Sequence, residues 1–328
     1  MKHGLLAALL AAAPLGARAA SFGGSSQAGT SAAAFLTMGA DARAAGMGNA
    51  VDAAADDATA MYWNPADLAG LHYRDATFTH SPSYQSTFSD FLAYAQPIEV
   101  LRGSGRERDL LPDQLGAVGA AVQYQNSGRI AEVDNTGAPT GQDFNPQNFA
   151  ISVGWGAELF RGFDAGLAVK YVSSQIEATA ATGAADFGAR WRAQIPGTEI
   201  GYALAANVRN LGGGLKFYSA SDPLPLTIVI GQSLHPLNSV TIDADITAPR
   251  DSAPYFSFGV EWRAPMISGV AGALRGGYDG RTTSADVGGL TGVTFGGGLE
   301  LQRFAFDYAW SPAGNLGNTQ HMTLSYRF

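Results

Sequence analysis

The chain has no cysteine, only five histidines, and charged side chains at 15% of its 328 positions. Without cysteine there are no disulfides, so an exported chain of this kind must be held by backbone pairing and packing. Beyond residue 20 there is no run of 18 apolar residues, which excludes helical membrane spans. Cations are also scarce. The formal net charge is −8, or about −10 without Lys2 and Arg18, and an acidic chain lacks the basic face that nucleic acid requires. Past residue 20 the histidines are His72, His80, His235 and His321, and neither a G-x-S-x-G nor an H-E-x-x-H motif is present. His80 with a wall serine is the one pairing a hydrolase could draw on, and no spacing demands it. The chain therefore reads as non-enzymatic, and nothing in it asks for a cofactor.

Glycine is abundant, at 42 residues, and Phe, Trp and Tyr make up 10%. That combination suits a sheet with crowded positions and aromatic rims. The first 20 residues read as a secretory signal. Lys2 and His3 precede the apolar run Leu5 to Ala13, Pro14 and Gly16 break it, and Ala17-Arg18-Ala19 fits a cleavage site.

From residue 75 the chain alternates with period two. Phe304, Phe306, Tyr308 and Trp310 share one face, against Arg303, Ala305, Asp307 and Ala309. Phe256, Phe258, Val260 and Trp262 oppose Ser257, Gly259, Glu261 and Arg263. A soluble sandwich also alternates, but here the apolar faces are aromatic near strand ends and the opposite faces mix small residues with charges. Strands of about ten residues, the span of a tilted membrane strand, recur to the end. The pattern predicts fourteen strands, near 75–81, 88–96, 115–126, 148–158, 163–176, 183–193, 200–210, 225–234, 239–247, 255–263, 271–279, 290–300, 304–311 and 320–328. This is an all-β, fourteen-stranded antiparallel transmembrane barrel. Its short connections fall on one side and its longer Gly-, Asn- and Pro-rich loops on the other. The charged segment 97–114 falls on the short side and breaks that rule.

Residues 31–71 cannot form a wall strand. Ala53 to Tyr62 has helix-forming residues with Asp56 or Asp57 as a cap, Asn64-Pro65 interrupts, and Ala66 to Gly70 fits one further turn. A barrel this wide is not filled by its own side chains, so the segment is expected in the lumen as a hatch. The chain thus divides into a signal at 1–20, an N-terminal segment and hatch at 21–74, and the barrel at 75–328.

Several residues invite a chemical reading. Asp52, Asp56 and Asp57 are close in sequence, but no calcium-loop pattern surrounds them and a cap explains the pair. Arg43 is expected to bond the wall or a hatch carboxylate. Gly46 and Gly48 mark close backbone approach. On the inward faces, Arg190, Arg192 and Arg209 stand on strands six and seven, and Asp243, Asp245 and Glu261 on strands nine and ten. They read as ion pairs that hold the hatch, with a selectivity device as the other reading.

The stretch from Ala32 to Leu71 resembles the N-terminal signature of the PorV/PorQ family of outer-membrane proteins. The matching points are Gly39 to Arg43, Gly46-Met47-Gly48, Ala55-Asp56-Asp57 and Tyr62-Trp63-Asn64-Pro65-Ala66. The Asn-Pro-Ala element also resembles the plug of FadL-type hydrocarbon transporters. Asn207 to Gly212, Leu224-Pro225-Leu226 and Arg275-Gly276-Gly277-Tyr278 follow in the family's order. Asp67 departs from the glycine usual after Asn-Pro-Ala, which bears on the tightness of that turn. The resemblance implies a FadL-like barrel with an internal hatch in the outer membrane of a Gram-negative bacterium. It implies as partners outer-membrane lipid, the barrel assembly machinery, and secretion components or exported proteins. PorV is a shuttle and anchor of type IX secretion, whereas FadL-type proteins pass hydrophobic small molecules, the alternative reading. The terminal Tyr326 and Phe328 fit the aromatic ending that the assembly machinery reads.

Overall fold

The computed structural model describes residues 29–83, 86–99, 114–267, 269–282 and 289–328. The signal-like residues 1–20 and most of the 97–114 segment lie outside them. Four short pieces precede the wall: a 3-10 turn at Ala34–Thr37, helices at Ala42–Gly46 and Ala60–Trp63, and a 3-10 turn at Pro65–Gly70. The strands are β1 (Asp75–Pro82), β2 (Phe88–Glu99), β3 (Gln114–Asn126), β4 (Ile130–Val133), β5 (Pro139–Phe144), β6 (Gln147–Phe160), β7 (Phe163–Gln175) and β8 (Thr179–Gln194). They continue as β9 (Gly201–Gly212), β10 (Thr227–Leu237), β11 (Val240–Pro249), β12 (Tyr255–Ile267), β13 (Val270–Asp279), β14 (Val293–Leu301), β15 (Phe304–Pro312) and β16 (Asn318–Arg327).

All but β4 and β5 form one closed antiparallel barrel of fourteen strands, as the alternation predicts. Closure gives every wall strand two partners and leaves no edge, which is what a sheet in lipid requires. The outer face carries the apolar set: Phe256, Phe258 and Trp262 are exposed, as are Phe304, Phe306 and Tyr308, whereas the alternating Ser257 and Glu261 are buried. Side chains that point outward in this barrel are exposed to lipid, so exposure there is the stable arrangement.

The chain ends meet at the β1–β16 seam, where Asp75 pairs with Arg327 and His80 with Met322. Inside the seam runs a polar ladder: Thr77 with Ser325 at 3.0 Å, Thr79 with Thr323 at 2.8 Å, and Ser81 with the His321 ring at 2.8 Å. Outside it, Tyr326 stacks edge-on against Phe328 and packs on Phe304, and the Phe328 amide donates to the Arg74 carbonyl at 2.9 Å.

At one end the connections are tight: Phe160 pairs with Phe163 and Leu301 with Phe304. The other end carries the longer links, including a separate hairpin of β4 and β5. The hairpin lies inside 126–147, where only a loop was expected. Its turn is closed by Asp134, whose carboxylate accepts from the Thr136 and Ala138 amides, with Gly137 between them at φ 83. Two further expectations are corrected. Strand β2 runs on to Glu99, because Pro97 still pairs with Ala117. The helix expected over Ala53–Tyr62 shrinks to Ala60–Trp63, because wall contacts claim the backbone before it.

Candidate functional site

The hatch touches the wall through much of the circumference. The Ala42 amide donates to Thr323 of β16 at 2.8 Å, and the Gly48 amide to Thr294 of β14 at 3.0 Å. Asn49 donates to Asp279 of β13 at 2.9 Å, the Asp52 amide to Asp245 of β11 at 3.2 Å, and the Ala58 amide to Asp75 of β1 at 3.1 Å. From the wall, Gln123 of β3 donates to the Phe35 carbonyl at 2.7 Å, and Asn207 of β9 to Asp52 and the Trp63 carbonyl at 2.6 and 2.7 Å. Backbone groups of an irregular segment must find partners when buried, and here the wall's inner side chains supply them.

Glycines let the backbone come that close. Gly46 lies against Gly296, where a Cβ would stand 3.0 Å from the opposite Cα. Gly48 adopts φ 66 with the Tyr278 carbonyl 2.5 Å from where its Cβ would be, so both conformation and space call for glycine. On the wall, a Cβ at Gly156 or Gly166 would run into Pro65, and one at Gly188 into Asn64. Met47, Met61 and Leu68 fill the remaining space and are fully buried. Each contributes about 2 kcal/mol of apolar burial.

The Asn64-Pro65 element starts its turn locally. Asn64 accepts from the Ala66 amide at 3.0 Å and donates to the Asp52 carbonyl at 3.0 Å, while Pro65 opens the 3-10 turn where no amide is needed. Asp67 does not loosen that turn. Its carboxylate lies 3.1 Å from Arg190 Nη1, and Arg190 and Arg192 share Asp164 at 2.9 and 2.7 Å.

The other charges group as follows. Arg43 lies 2.5 Å from Asp56 and grips Glu261 through Nε and Nη2 at 3.1 and 3.2 Å. Glu261 also takes Arg275 at 2.6 Å, and Arg275 reaches Asp307 at 2.5 Å. Arg209 stands over the Tyr62 and Trp63 rings, 5.5 and 5.6 Å from their centroids, with Asp52 only at 4.0 Å. Asp243 and Asp245 line the lumen on β11 and, against the expected ion pairing, are buried with no cation at ion-pair distance among the described residues. Neither Asp56 nor Asp57 caps a helix as expected: the helix Ala60–Trp63 begins after Thr59 without a side-chain cap, and Asp57 accepts from the Thr59 amide at 2.8 Å in a local turn. Asp52, Asp56 and Asp57 therefore go to three different partners and do not converge on one point.

Sequence reasoning noted Arg275 only as part of a motif and not as a lumen charge, and it missed Asp164, the Lys170–Asp186 pair at 2.6 Å, and Arg281. The signal was present: Asp164 and Lys170 alternate with outward Leu167, Val169 and Tyr171, so their parity points inward. It also missed the bulge in β9. Ala185 pairs with Leu211 but Phe187 with Val208, so Arg209 and Asn210 together oppose Asp186. Asn210 takes φ 61, and its amide donates to Asp186 at 2.7 Å. This bulge breaks the alternation beside Arg209.

Burial governs the hatch carboxylates. The Asp41 carboxyl is pushed up to about 6 by burial, with Asp57 adding to the rise. The Ala44 amide and the Trp63 indole, which donate to it at 2.8 and 2.7 Å, pull the other way. Burial also raises Asp52, against the opposing pull of Arg209.

A closed fourteen-strand barrel with an apolar outer face, a polar lumen and a seated N-terminal hatch defines a hatch-bearing barrel of the outer-membrane type. Residues 24–203 match the family described as Type IX secretion system protein PorV, and the chain belongs to that family. No curated protein matches it. Among solved structures, the toluene transporter TbuX of Ralstonia pickettii is 12% identical with a TM-score of 0.53, over 88% of this chain and 98% of that one. The Pseudomonas putida toluene transporter TodX is 10% identical with a TM-score of 0.55, over 88% and 96%. At such identities the likeness is one of fold.

Proposed function

We propose that the chain works as a plugged docking barrel in the outer membrane of a Gram-negative bacterium, holding secretion components or exported proteins at its longer loops. The short turns then face the periplasm. Membership of the PorV family carries this reading. The wall supports it: each of the fourteen strands pairs with both neighbours, with bulges in several pairs, and the hatch bonds to strands on opposite sides of the lumen, which favours a plugged barrel over an open passage. The crown also presents the exposed β4–β5 hairpin, with Ile130 and Val133 open to solvent. The hatch charges, from Arg43 and Asp56 to Arg190, Arg209 and Glu261, act in this reading as anchors. Tyr326 and Phe328 serve assembly.

The test is affinity capture of the tagged full-length chain from outer membranes, beside a variant lacking 130–144. Secretion components or exported proteins should accompany the intact chain and be reduced with the variant, while both still migrate as heat-modifiable barrels. Co-purifying lipid or fatty acid with no protein partner would favour passage of hydrophobic molecules instead.

A further inference from the structure

Two arginines stand apart from the others, Arg263 being intermediate with Glu261 at 3.4 Å. Arg43, Arg190, Arg192, Arg275 and Arg327 each hold a carboxylate at 2.9 Å or closer. The nearest carboxylates to Arg209 and Arg281 stand at 4.0 and 3.7 Å, beyond a charge-assisted hydrogen bond, and Arg281 gives only its Nη1 to a neutral acceptor, the Thr37 carbonyl. Arg209 Nη1 is buried with no acceptor. Both arginines line one cavity of about 80 Å³ at the longer-loop end, between the hatch and strands β9 to β13.

The carboxylates near that cavity are already committed. Asp52 accepts from Asn207 at 2.6 Å, and Asp279 accepts from Asn49 and from the Arg281 amide, each at 2.9 Å. Asp251 lines the cavity as well, so two guanidiniums stand beside two carboxylates, and Arg209 Nη1 is the buried donor left for a ligand to meet. Hydroxyls complete the lining, from Thr227, Thr247, Tyr255 and Ser257. Arg209 continues the inward series of Ala203, Ala205 and Asn207 in unbroken register with β10, and the Tyr62 and Trp63 rings lie beneath its guanidinium.

We propose that this cavity binds a carboxylate group, held between the guanidiniums of Arg209 and Arg281. A planar fork of donors matches a carboxylate in two parallel hydrogen bonds. The volume is roughly that of two or three waters, so it takes the carboxylate and an atom or two behind it. Any remainder of the ligand lies in the mouth among the longer loops. Two sources share this chemistry, a small free carboxylic acid and the C-terminus of a polypeptide. The site does not depend on the docking role proposed above.

The test uses the detergent-solubilised full-length chain and trifluoroacetate, followed by fluorine NMR. Saturable line broadening is expected, reversed by acetate but not by acetamide. Arg209→Gln and Arg281→Gln should each weaken binding by about tenfold or more, the loss of one bidentate charged contact. Arg263→Gln, outside the cavity, should leave it unchanged. Each variant is first checked for heat-modifiable migration, and Arg209→Lys, which keeps the charge, should bind at an intermediate level. A tripeptide with a free C-terminus that displaces the probe, where its C-terminal amide does not, identifies a polypeptide end. Displacement by acetate alone identifies a small acid. Broadening that fails to saturate, that persists in both glutamine variants, or that chloride reverses as well as acetate does, overturns the proposal.

Discussion

Asp67 occupies a position where the resemblance leads one to expect glycine, and the wall opposite answers it with Arg190. The pair is buried, and Arg190 also keeps Asp164. Breaking a buried pair usually costs ~3–5 kcal/mol, and the retained Asp164 lowers that here. Asp67→Gly should therefore destabilise the seated hatch by about 2 kcal/mol, read as a lower urea midpoint for hatch release in the refolded barrel. An unchanged midpoint would mean the pair adds nothing. Asp41 makes a second residue-scale prediction. Its carboxyl sits at about 6 in the seated hatch, against ~3.9 when free. The seated state binds the extra proton, so its stability is full below about pH 4 and is lost as pH rises through about 6, by at most about 3 kcal/mol. Protection factors for the hatch amides should fall over that window, and Asp41→Asn should flatten the fall. Inward parity made Arg190, Arg209 and Glu261 legible from sequence. Their partners were not, because pairing across a lumen depends on where the hatch lies, which no spacing within a strand encodes.

Among the elements, the wall strands were the most legible, since each buries one face and exposes the other with period two. Their ends were less so. β8 begins at Thr179 and β10 at Thr227, where register with a neighbour decides and composition does not. The hatch was hardest. Its alanines favour helix, yet over Asp52 to Thr59 the chain bends to meet Asp245 and Asn207 at Asp52 and Asp75 at Ala58. Tertiary contacts there outweigh propensities of at most about 0.7 kcal/mol per residue. The glycine richness of the wall gains a specific meaning at this scale, as the seat of the Asn64-Pro65 turn. A side chain at Gly166 has no room beside Pro65. Gly166→Val should leave a heat-modifiable barrel but unseat the turn, so that a cysteine placed at Ala66 becomes reactive to a water-soluble maleimide. An unreactive cysteine would show that the seat tolerates the bulk.

At the scale of the molecule, a closed wall and a hatch bonded to opposite strands are what the proposed docking role rests on, and that role predicts a barrel that does not pass ions. The two longest-range features, closure of β1 on β16 and the hatch crossing the lumen, both follow from leaving no backbone group unpaired in lipid. The fourteen-strand count was readable from the alternation, whereas the hatch's contacts had to be seen. Planar-bilayer recording of the purified full-length chain tests the sealed barrel most directly. The wild-type protein should insert without steady ohmic conductance, and Gly166→Val should show open-channel steps. Stable conductance from the wild-type protein, equal to that of the variant, would contradict a lumen closed by its hatch.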